Sequence, residues 1–325
     1  MNRLIPCASL ALLLGLSGCG VSTTKNVEVD RHSGGFLGLG EQADLQTSGL
    51  EAMKGETRVV IPNFKVGFYL DKSPGGFKSG SGDAAIVRSK LSGVENADFQ
   101  AITDAAYAAF KQQLTAQGFS VMSEAEMAAL PRYAAAKAKA NPEMDKALFG
   151  PDALYFVPTG VKHLDVGMFD KGLFNMDMLK QSQATVMDVT LYVTYLGQKL
   201  EKVLTMVSGV QVGQAMTVIP GSVVTASGYQ ASKCVGFCPN TVASVRLGQP
   251  IYSTEETGTL TDVTTAGDRA LDVAKMAATW MTGGLKTQVT KVYELKADPA
   301  KFKKVAIETL GKATGQMAAK LGSGR

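Results

Sequence analysis

The sequence contains few side chains of the types that perform nucleophilic, redox or metal chemistry. Among its 325 residues these are four cysteines and two histidines, namely Cys7, Cys19, Cys234, Cys238, His32 and His163. The sequence also lacks the Gly-x-Ser-x-Gly turn of serine hydrolases and the phosphate-binding loop of nucleotide-dependent enzymes. We therefore expect no catalytic residues, no metal site and no cofactor. The sequence predicts a protein that is not an enzyme.

The one candidate for an acid–base pair is formed by His163 and Asp165. His163 stands at the end of a predicted strand, two residues before the carboxylate. A single histidine in such a position more often serves packing or lies on the surface than works in catalysis. An enzyme that uses this pair is accordingly the less favoured interpretation.

The amino-terminal residues have the layout of an export signal. Arg3 is followed by a largely apolar run, Leu4 to Leu16, and then by the sequence Ser17-Gly18-Cys19. The run is too short to form a stable membrane-spanning helix. The junction resembles the lipobox of bacterial lipoproteins, which implies that residues 1–18 are a signal peptide and that Cys19 is the acylated first residue of the mature chain. An ordinary signal peptide that ends near a cysteine is the alternative.

The resemblance also bears on location and on the remaining cysteines. Gly20 stands where lipoproteins retained at the inner membrane often carry Asp, which favours the outer membrane, with the domain in the periplasm. An exported chain meets an oxidising compartment, so we expect a local disulfide between Cys234 and Cys238. The alternative is half of a metal site, which the two histidines cannot complete convincingly.

The composition is that of a folded, globular chain. Apolar residues make up 45% and charged residues 19% of the sequence, which argues against disorder as the main state. The formal net charge of +4 is too small and too scattered to indicate a nucleic-acid partner. No later run reaches the roughly 18 apolar residues of a membrane helix.

The pattern along the chain divides it into four parts. Residues 19–56 are polar and glycine-rich and are predicted to be a flexible tether. Residues 57–297 are predicted to form an α/β domain, with an irregular insertion over residues 213–262. Residues 298–325 are predicted to form an amphipathic helix that Asp298 caps and Pro299 begins.

Several elements of the α/β domain are expected from periodicity and capping signals. Arg58 to Val66 reads as a buried strand in which Pro62 favours an edge position or a bulge. Asp98 is expected to cap a helix that ends at Gly118. Further predicted elements are a short strand Phe119–Met122, a capping-box helix at Ser123 and Glu126, a strand Leu154–His163, an alternating strand from Thr185, a turn over Gly197–Lys199, a returning strand Val203–Val212, a helix with Thr265 and Asp268 at its start, and a closing strand Val289–Leu295.

This order of elements resembles the periplasmic domain of the curli-export lipoprotein family and the TolB amino-terminal domain. The similarity runs over Arg58–Val66, Asp98–Met122 with its Gly118-Phe119-Ser120-Val121 ending, Asp152–Gly160 and Thr185–Gln211. It implies a mixed sheet with flanking helices. It also implies a lipid-anchored component of an outer-membrane export system, in which rings of subunits build a pore from inserted β-hairpins.

A hairpin that crosses the membrane is one interpretation of the alternation in the second half of the domain. Its candidate residues lie on two segments, with Val210, Val212 and Met216 on the first and Val245 and Leu247 on the second. A spanning strand needs roughly 9–11 alternating residues. Extension of a soluble sheet explains the same pattern and is favoured here. The terminal helix is likewise either a lipid- or partner-binding helix with a basic face or a helix packed on its own domain.

The sequence thus predicts an outer-membrane-anchored lipoprotein that acts as a non-enzymatic scaffold or assembly component of the envelope or of an export system. The alternative is a subunit of an oligomeric secretion channel. The expected partners are the membrane, through the lipid, and other envelope or export proteins. A homo-oligomer is compatible with both interpretations, and nucleic acid is not an expected partner.

Overall fold

The computed structural model describes residues 20–31, 42–70, 77–78, 84–145, 152–167, 170–203, 206–233, 241–268 and 288–325. The strands, in chain order, are β1 (Gly20–Asn26), β2 (Leu45–Ser48), β3 (Arg58–Tyr69), β4 (Phe77–Lys78), β5 (Ala84–Ser92), β6 (Ser120–Val121), β7 (Glu143–Asp145), β8 (Ala153–Phe156), β9 (Thr185–Val203), β10 (Met206–Val218), β11 (Val223–Ser227), β12 (Val242–Leu247), β13 (Ile251–Ser253), β14 (Gly258–Asp262) and β15 (Gln288–Ala297). The α-helices are α1 (Asn96–Ala116), α2 (Glu124–Ala128), α3 (Pro131–Ala135), α4 (Lys171–Ser182) and α5 (Pro299–Gly322).

The strands form one large mixed sheet and one smaller sheet. The main path of the large sheet has the order β2-β12-β11-β9-β3-β8-β7, and β10 pairs with β9, β1 and β13. The smaller sheet has the order β14-β15-β5-β4. This arrangement confirms the predicted fold class, a mixed α/β fold with flanking helices and a carboxy-terminal helix.

Strand β3 lies inside the large sheet, between β8 and β9. Its pairing with β9 shifts register between Val60 and Asn63, so the bulge predicted at Pro62 is confirmed, whereas the edge position is not. A bulge accommodates proline because its ring nitrogen has no hydrogen to donate to the ladder. Phe64 and Phe68 face α1, where they pack against the rings of Tyr107 and Phe99.

Helices α1 and α5 pack against each other over the large sheet. The predicted stripe of α1 is buried, including Phe99, Ile102 and Phe110. Its cap, however, is Glu95 rather than Asp98, which instead closes a capping box from the third helical position. In α5, Asp298 caps the backbone nitrogens of Ala300 and Lys301 as predicted.

The structure contradicts the predictions for two segments. Within the supposed tether of residues 19–56, β1 and β2 are strands of the large sheet, and Ala52 and Met53 are fully buried. Within the supposed irregular insertion of residues 213–262, β11, β12, β13 and β14 are all paired strands. These strands have only three to seven residues, and their glycine, serine and proline neighbours conceal the alternation that longer strands display.

Two predicted strand ends also need correction. β8 stops at Phe156, far short of His163, because the chain turns at Pro158 and at Gly160, whose φ of 83° is positive. β9 continues through the predicted turn at Gly197 as far as Val203, which pairs with Met206 of β10. The closing strand, now β15, and the short strand β6 are confirmed. Thr265 and Asp268 do form a cap, but most of the helix predicted after them lies outside the described residues.

Candidate functional site

The cysteines that carried much of the sequence interpretation lie outside the described residues. These are Cys19, the predicted lipidation site, and Cys234 and Cys238, the predicted disulfide. The residues that follow Cys19, from Gly20 to Arg31, are described.

Strand β1 follows directly after Cys19 and runs parallel to β10. Gly20 pairs with Gly209 and Val21 with Val210, close to the point where Val203 and Met206 close the β9–β10 pair. Gly20, the first described residue, therefore lies near the end of the β9–β10 hairpin at which Val203 pairs with Met206, which we call the distal end.

The five residues of the candidate membrane hairpin do not form one hairpin. Val210, Val212 and Met216 lie on β10, which pairs with β9, β1 and β13. Val245 and Leu247 lie on β12, which pairs with β11 and β2. All five side chains are buried in the same hydrophobic core, and α5 packs near both strands. On β12 the buried residues alternate with more exposed ones, whereas β10 is buried on both faces from Val212 to Val218.

A polar cavity of about 730 Å³ opens on the other face of the large sheet. Strand β3 contributes Asn63 and Lys65, and the neighbouring β9 contributes Asp188 directly opposite Asn63. These side chains alternate with Phe64, which points to the opposite face and packs on α1. The alternation of β3 therefore assigns apolar residues to the core and polar residues to the cavity.

Helix α4 forms a second wall of the cavity. Lys171 and Asn175 are one turn apart, so both face Asp188. The Asn175 Nδ2 donates to Asp188 Oδ2 at 3.1 Å, and the Lys171 Nζ lies 3.4 Å from the same oxygen. Asp188 is 7% exposed, and these two contacts compensate for the burial of its carboxylate. The Oδ1 of Asn175 is buried and has no hydrogen-bond donor among the described residues.

His163 lies in a third wall and is committed to two partners. Its Nδ1 donates to the carbonyl oxygen of Ala140 at 2.9 Å, and its Nε2 lies 3.2 Å from Glu143 Oε2. Because a carbonyl oxygen only accepts, Nδ1 carries a hydrogen, and Nε2 is the ring nitrogen that faces the Glu143 carboxylate. Among the described residues, the carboxylate beside the His163 ring is that of Glu143 rather than Asp165, so the structure does not bring the predicted acid–base pair together.

Lys65 also lines the cavity, and among the described residues no carboxylate forms an ion pair with it. Its Nζ lies 4.8 Å above the centre of the Tyr155 ring. Burial lowers the pKa of the Lys65 ammonium, and the charge of Lys171 lowers the same pKa further. The Tyr155 ring is in turn fixed against Gly67, where an added Cβ would lie 2.8 Å from Tyr155 Cε1. Lys65 is therefore held beside an aromatic face in a site where its charge is poorly compensated.

Sequence reasoning missed this cavity because its residues are distant in the chain. Glu143, Lys171 and Asp188 belong to three separate elements that only the sheet topology brings together. A local signal did exist. Asp188 interrupts the apolar run of β9, and Lys65 interrupts that of β3, and charged residues in buried strands need partners.

Comparison with known proteins adds no assignment to these features: no family model, no curated protein and no solved structure matches this chain. In the part of the chain that the structure describes, no helix combines the length and the apolar character that crossing a membrane requires. Within the same residues, no three or more metal-binding side chains are clustered so that they could hold an ion.

Proposed function

We propose that this protein is a lipid-anchored component of the bacterial outer membrane that acts as a non-enzymatic scaffold or assembly partner in the envelope or in an export system. The lipobox-like junction before Cys19 motivates the anchor. The observation that carries the proposal is the pairing of β1 with β10, which begins at the residue immediately after that cysteine.

This pairing changes what an anchor at Cys19 would do. A flexible tether would allow the domain to stand away from the bilayer, whereas a strand hydrogen-bonded in the sheet leaves no slack. Lipid on Cys19 would then hold the distal end of the β9–β10 hairpin against the membrane surface. The remainder of the domain would face the periplasm in a defined orientation, which suits a protein that positions partners.

Release from the membrane tests the proposal. Cys19→Ala is expected to shift the protein from the membrane fraction to the soluble periplasmic fraction, because the acylated thiol is lost. The matched control is Cys7→Ala, which lies inside the signal and should leave the protein with the membrane. If Cys19→Ala remains fully membrane-bound after high-salt and carbonate washes, the lipid does not anchor this protein.

The alternative function is that of a subunit in an oligomeric export channel. The length of β9 favours it, since its 19 residues exceed those of every other described strand. The neighbouring β10 has 13 residues and pairs with β9 as far as Val203. Electron microscopy of the detergent-extracted protein separates the two functions, because rings would support the channel and monomers under all conditions would exclude it.

A further inference from the structure

The polar cavity between β3, β9 and α4 has the size and the chemistry of a ligand site. Its volume of about 730 Å³ falls within the roughly 300–1,000 Å³ that is usual for small-molecule sites. Its walls come from the large sheet, from α4 and from the chain around His163, and hydrogen bonds and ion pairs hold Asp188 and His163 in place before any ligand arrives. The charges that line it indicate which ligand it suits.

Most of the charges in the cavity already have partners. Lys139 pairs with Glu143 at 2.9 Å, and Lys171 pairs with Asp188 at 3.4 Å. Glu143 also contacts the ring of His163. Among the described residues this leaves Lys65 as a cation without an ion pair, and Asp145 and Asp165 as carboxylates without one.

The groups without an ion pair require a ligand that carries both a negative and a positive charge. Lys65 and the neighbouring Lys171 would receive an anionic group such as a carboxylate. Asp145 and Asp165 would attract a cationic group, and the buried Oδ1 of Asn175 requires a donor such as an N–H. A purely anionic ligand would satisfy Lys65 and meet repulsion from the carboxylates, and a purely cationic ligand would have the reverse problem.

The cavity presents charges of both signs. Three lysines and four carboxylates line it. A site that presents both a cation and carboxylates complements a molecule that carries both charges. We propose that the cavity binds a small zwitterion of the amino-acid or short-peptide class, with its carboxylate at Lys65 and its ammonium toward Asp145 and Asp165.

Three tripeptides that differ only in terminal charge test this proposal by isothermal titration calorimetry on the purified full chain in detergent. The first is tri-alanine, which is zwitterionic. The second is N-acetyl-tri-alanine, which is anionic, and the third is tri-alanine amide, which is cationic. We expect tri-alanine to bind at least about tenfold more tightly than either derivative, because each derivative leaves one set of charges unpaired.

Two variants locate the binding in the cavity. Lys65→Met keeps the apolar stem over Tyr155 and removes the charge, and it should weaken tri-alanine binding by about tenfold while changing the binding of tri-alanine amide little. Asp145→Asn should weaken tri-alanine and tri-alanine amide and spare the N-acetyl derivative. The matched control is Lys233→Met, which removes another lysine that lies over a tyrosine ring, at 4.0 Å from Tyr229, outside the cavity.

The results decide the proposal in either direction. Binding of tri-alanine by wild type and by Lys233→Met, with the stated losses in the two cavity variants, would support it. No heat of binding for tri-alanine at millimolar concentration, equal affinity for all three tripeptides, or undiminished binding by both folded cavity variants would overturn it. Because purified protein is used, these outcomes are independent of whether Cys19 anchors the chain in cells.

Discussion

At the scale of single residues, a buried polar side chain links the two sheets. Gln214 on β10 is 2% exposed and reaches the start of β14. Its Oε1 accepts from the backbone nitrogens of Thr257 and Gly258, at 3.0 and 3.1 Å, and its Nε2 donates to the Gly258 carbonyl oxygen at 2.9 Å. One amide thus satisfies three backbone groups and connects the large sheet to the smaller one.

Replacement of this amide should therefore be costly. Gln214→Leu keeps the approximate volume but leaves buried backbone groups without partners, and we expect the free energy of unfolding to fall by about 2 kcal/mol. Urea unfolding of wild type and variant measures the difference. Gln112→Ala, at an exposed position of α1, is the control and should change stability by less than about 0.5 kcal/mol. Equal stability of Gln214→Leu and wild type would contradict the role assigned to the amide.

A second residue-scale prediction concerns acid stability in the smaller sheet. Burial of the Asp262 carboxyl acts to raise its pKa, but hydrogen bonds from Lys291 and Thr264 outweigh burial and lower the pKa from 3.8 to about 2. The Lys291 Nζ lies 2.7 Å from Asp262 Oδ2. A lowered folded-state pKa means that the stabilisation is complete above about pH 4 and is lost as the pH falls toward 2.

The corresponding measurement is stability as a function of pH. Between pH 4 and pH 2 wild type should lose about 1 kcal/mol more than Asp262→Asn, a figure reduced from the full linkage value because the Asp262 side chain is 31% exposed. Parallel stability profiles of the two proteins over that interval would show that the ionised carboxyl contributes nothing to folding.

At the scale of elements, long periodic segments were predictable and short ones were not. The stripe of α1, the proline bulge of β3 and the Asp298-Pro299 start of α5 follow from signals within one segment, and all are confirmed. The polar sequence of β1 predicts a tether, whereas its strand structure depends on pairing with β10, about 190 residues away. Strand character in such a segment is supplied by its partner rather than by its own residues.

The cavity was unpredictable for the same reason. Lys65, Asn175 and Asp188 belong to three elements whose proximity results from the order of strands in the sheet. Their individual signals, a charge inside an apolar strand or a polar residue on a helix, are common and do not specify which residues meet. Topology, which local patterns do not encode, brings them together.

The close approach of β1 to β10 provides a prediction at this scale. A Cβ added to Gly213 would lie 2.7 Å from the carbonyl carbon of Asn26 and 2.9 Å from the nitrogen of Val27. Because both contacts are backbone atoms, Gly213→Ala should displace β1, and its amides should exchange hydrogen faster. Hydrogen exchange measured by mass spectrometry on peptides that cover residues 20–27 reports this change.

A control glycine comes from α4. An added Cβ at Gly172 meets nothing within 4 Å. Gly172→Ala should leave exchange in β1 unchanged and stabilise the protein by about 0.5–1 kcal/mol, since alanine loses less entropy in a helix than glycine does. If the amides of β1 exchange at the wild-type rate in Gly213→Ala, the tight packing of β1 against β10 is not what holds β1 in the sheet.

At the scale of the whole molecule, the packing of α5 and the position of β1 bear on the proposed anchoring. Helix α5, considered from its lysines as a possible lipid-binding element, buries Phe302, Val305 and Leu310 against the domain, and its Lys303 pairs with Asp98 of α1 at 3.1 Å. The packed-domain interpretation of this helix is therefore confirmed. The β9–β10 hairpin, with β1 beside it, is the part of the fold that an anchor at Cys19 would bring to the membrane.

Mass spectrometry of the amino-terminal peptide from the native, membrane-extracted protein tests this account most directly. We predict a chain that begins at Cys19 and carries a mass increase corresponding to acyl chains on that cysteine. An unmodified peptide that continues upstream through Gly18 and Ser17 would contradict the account, because the chain would then neither begin at Cys19 nor carry a lipid there.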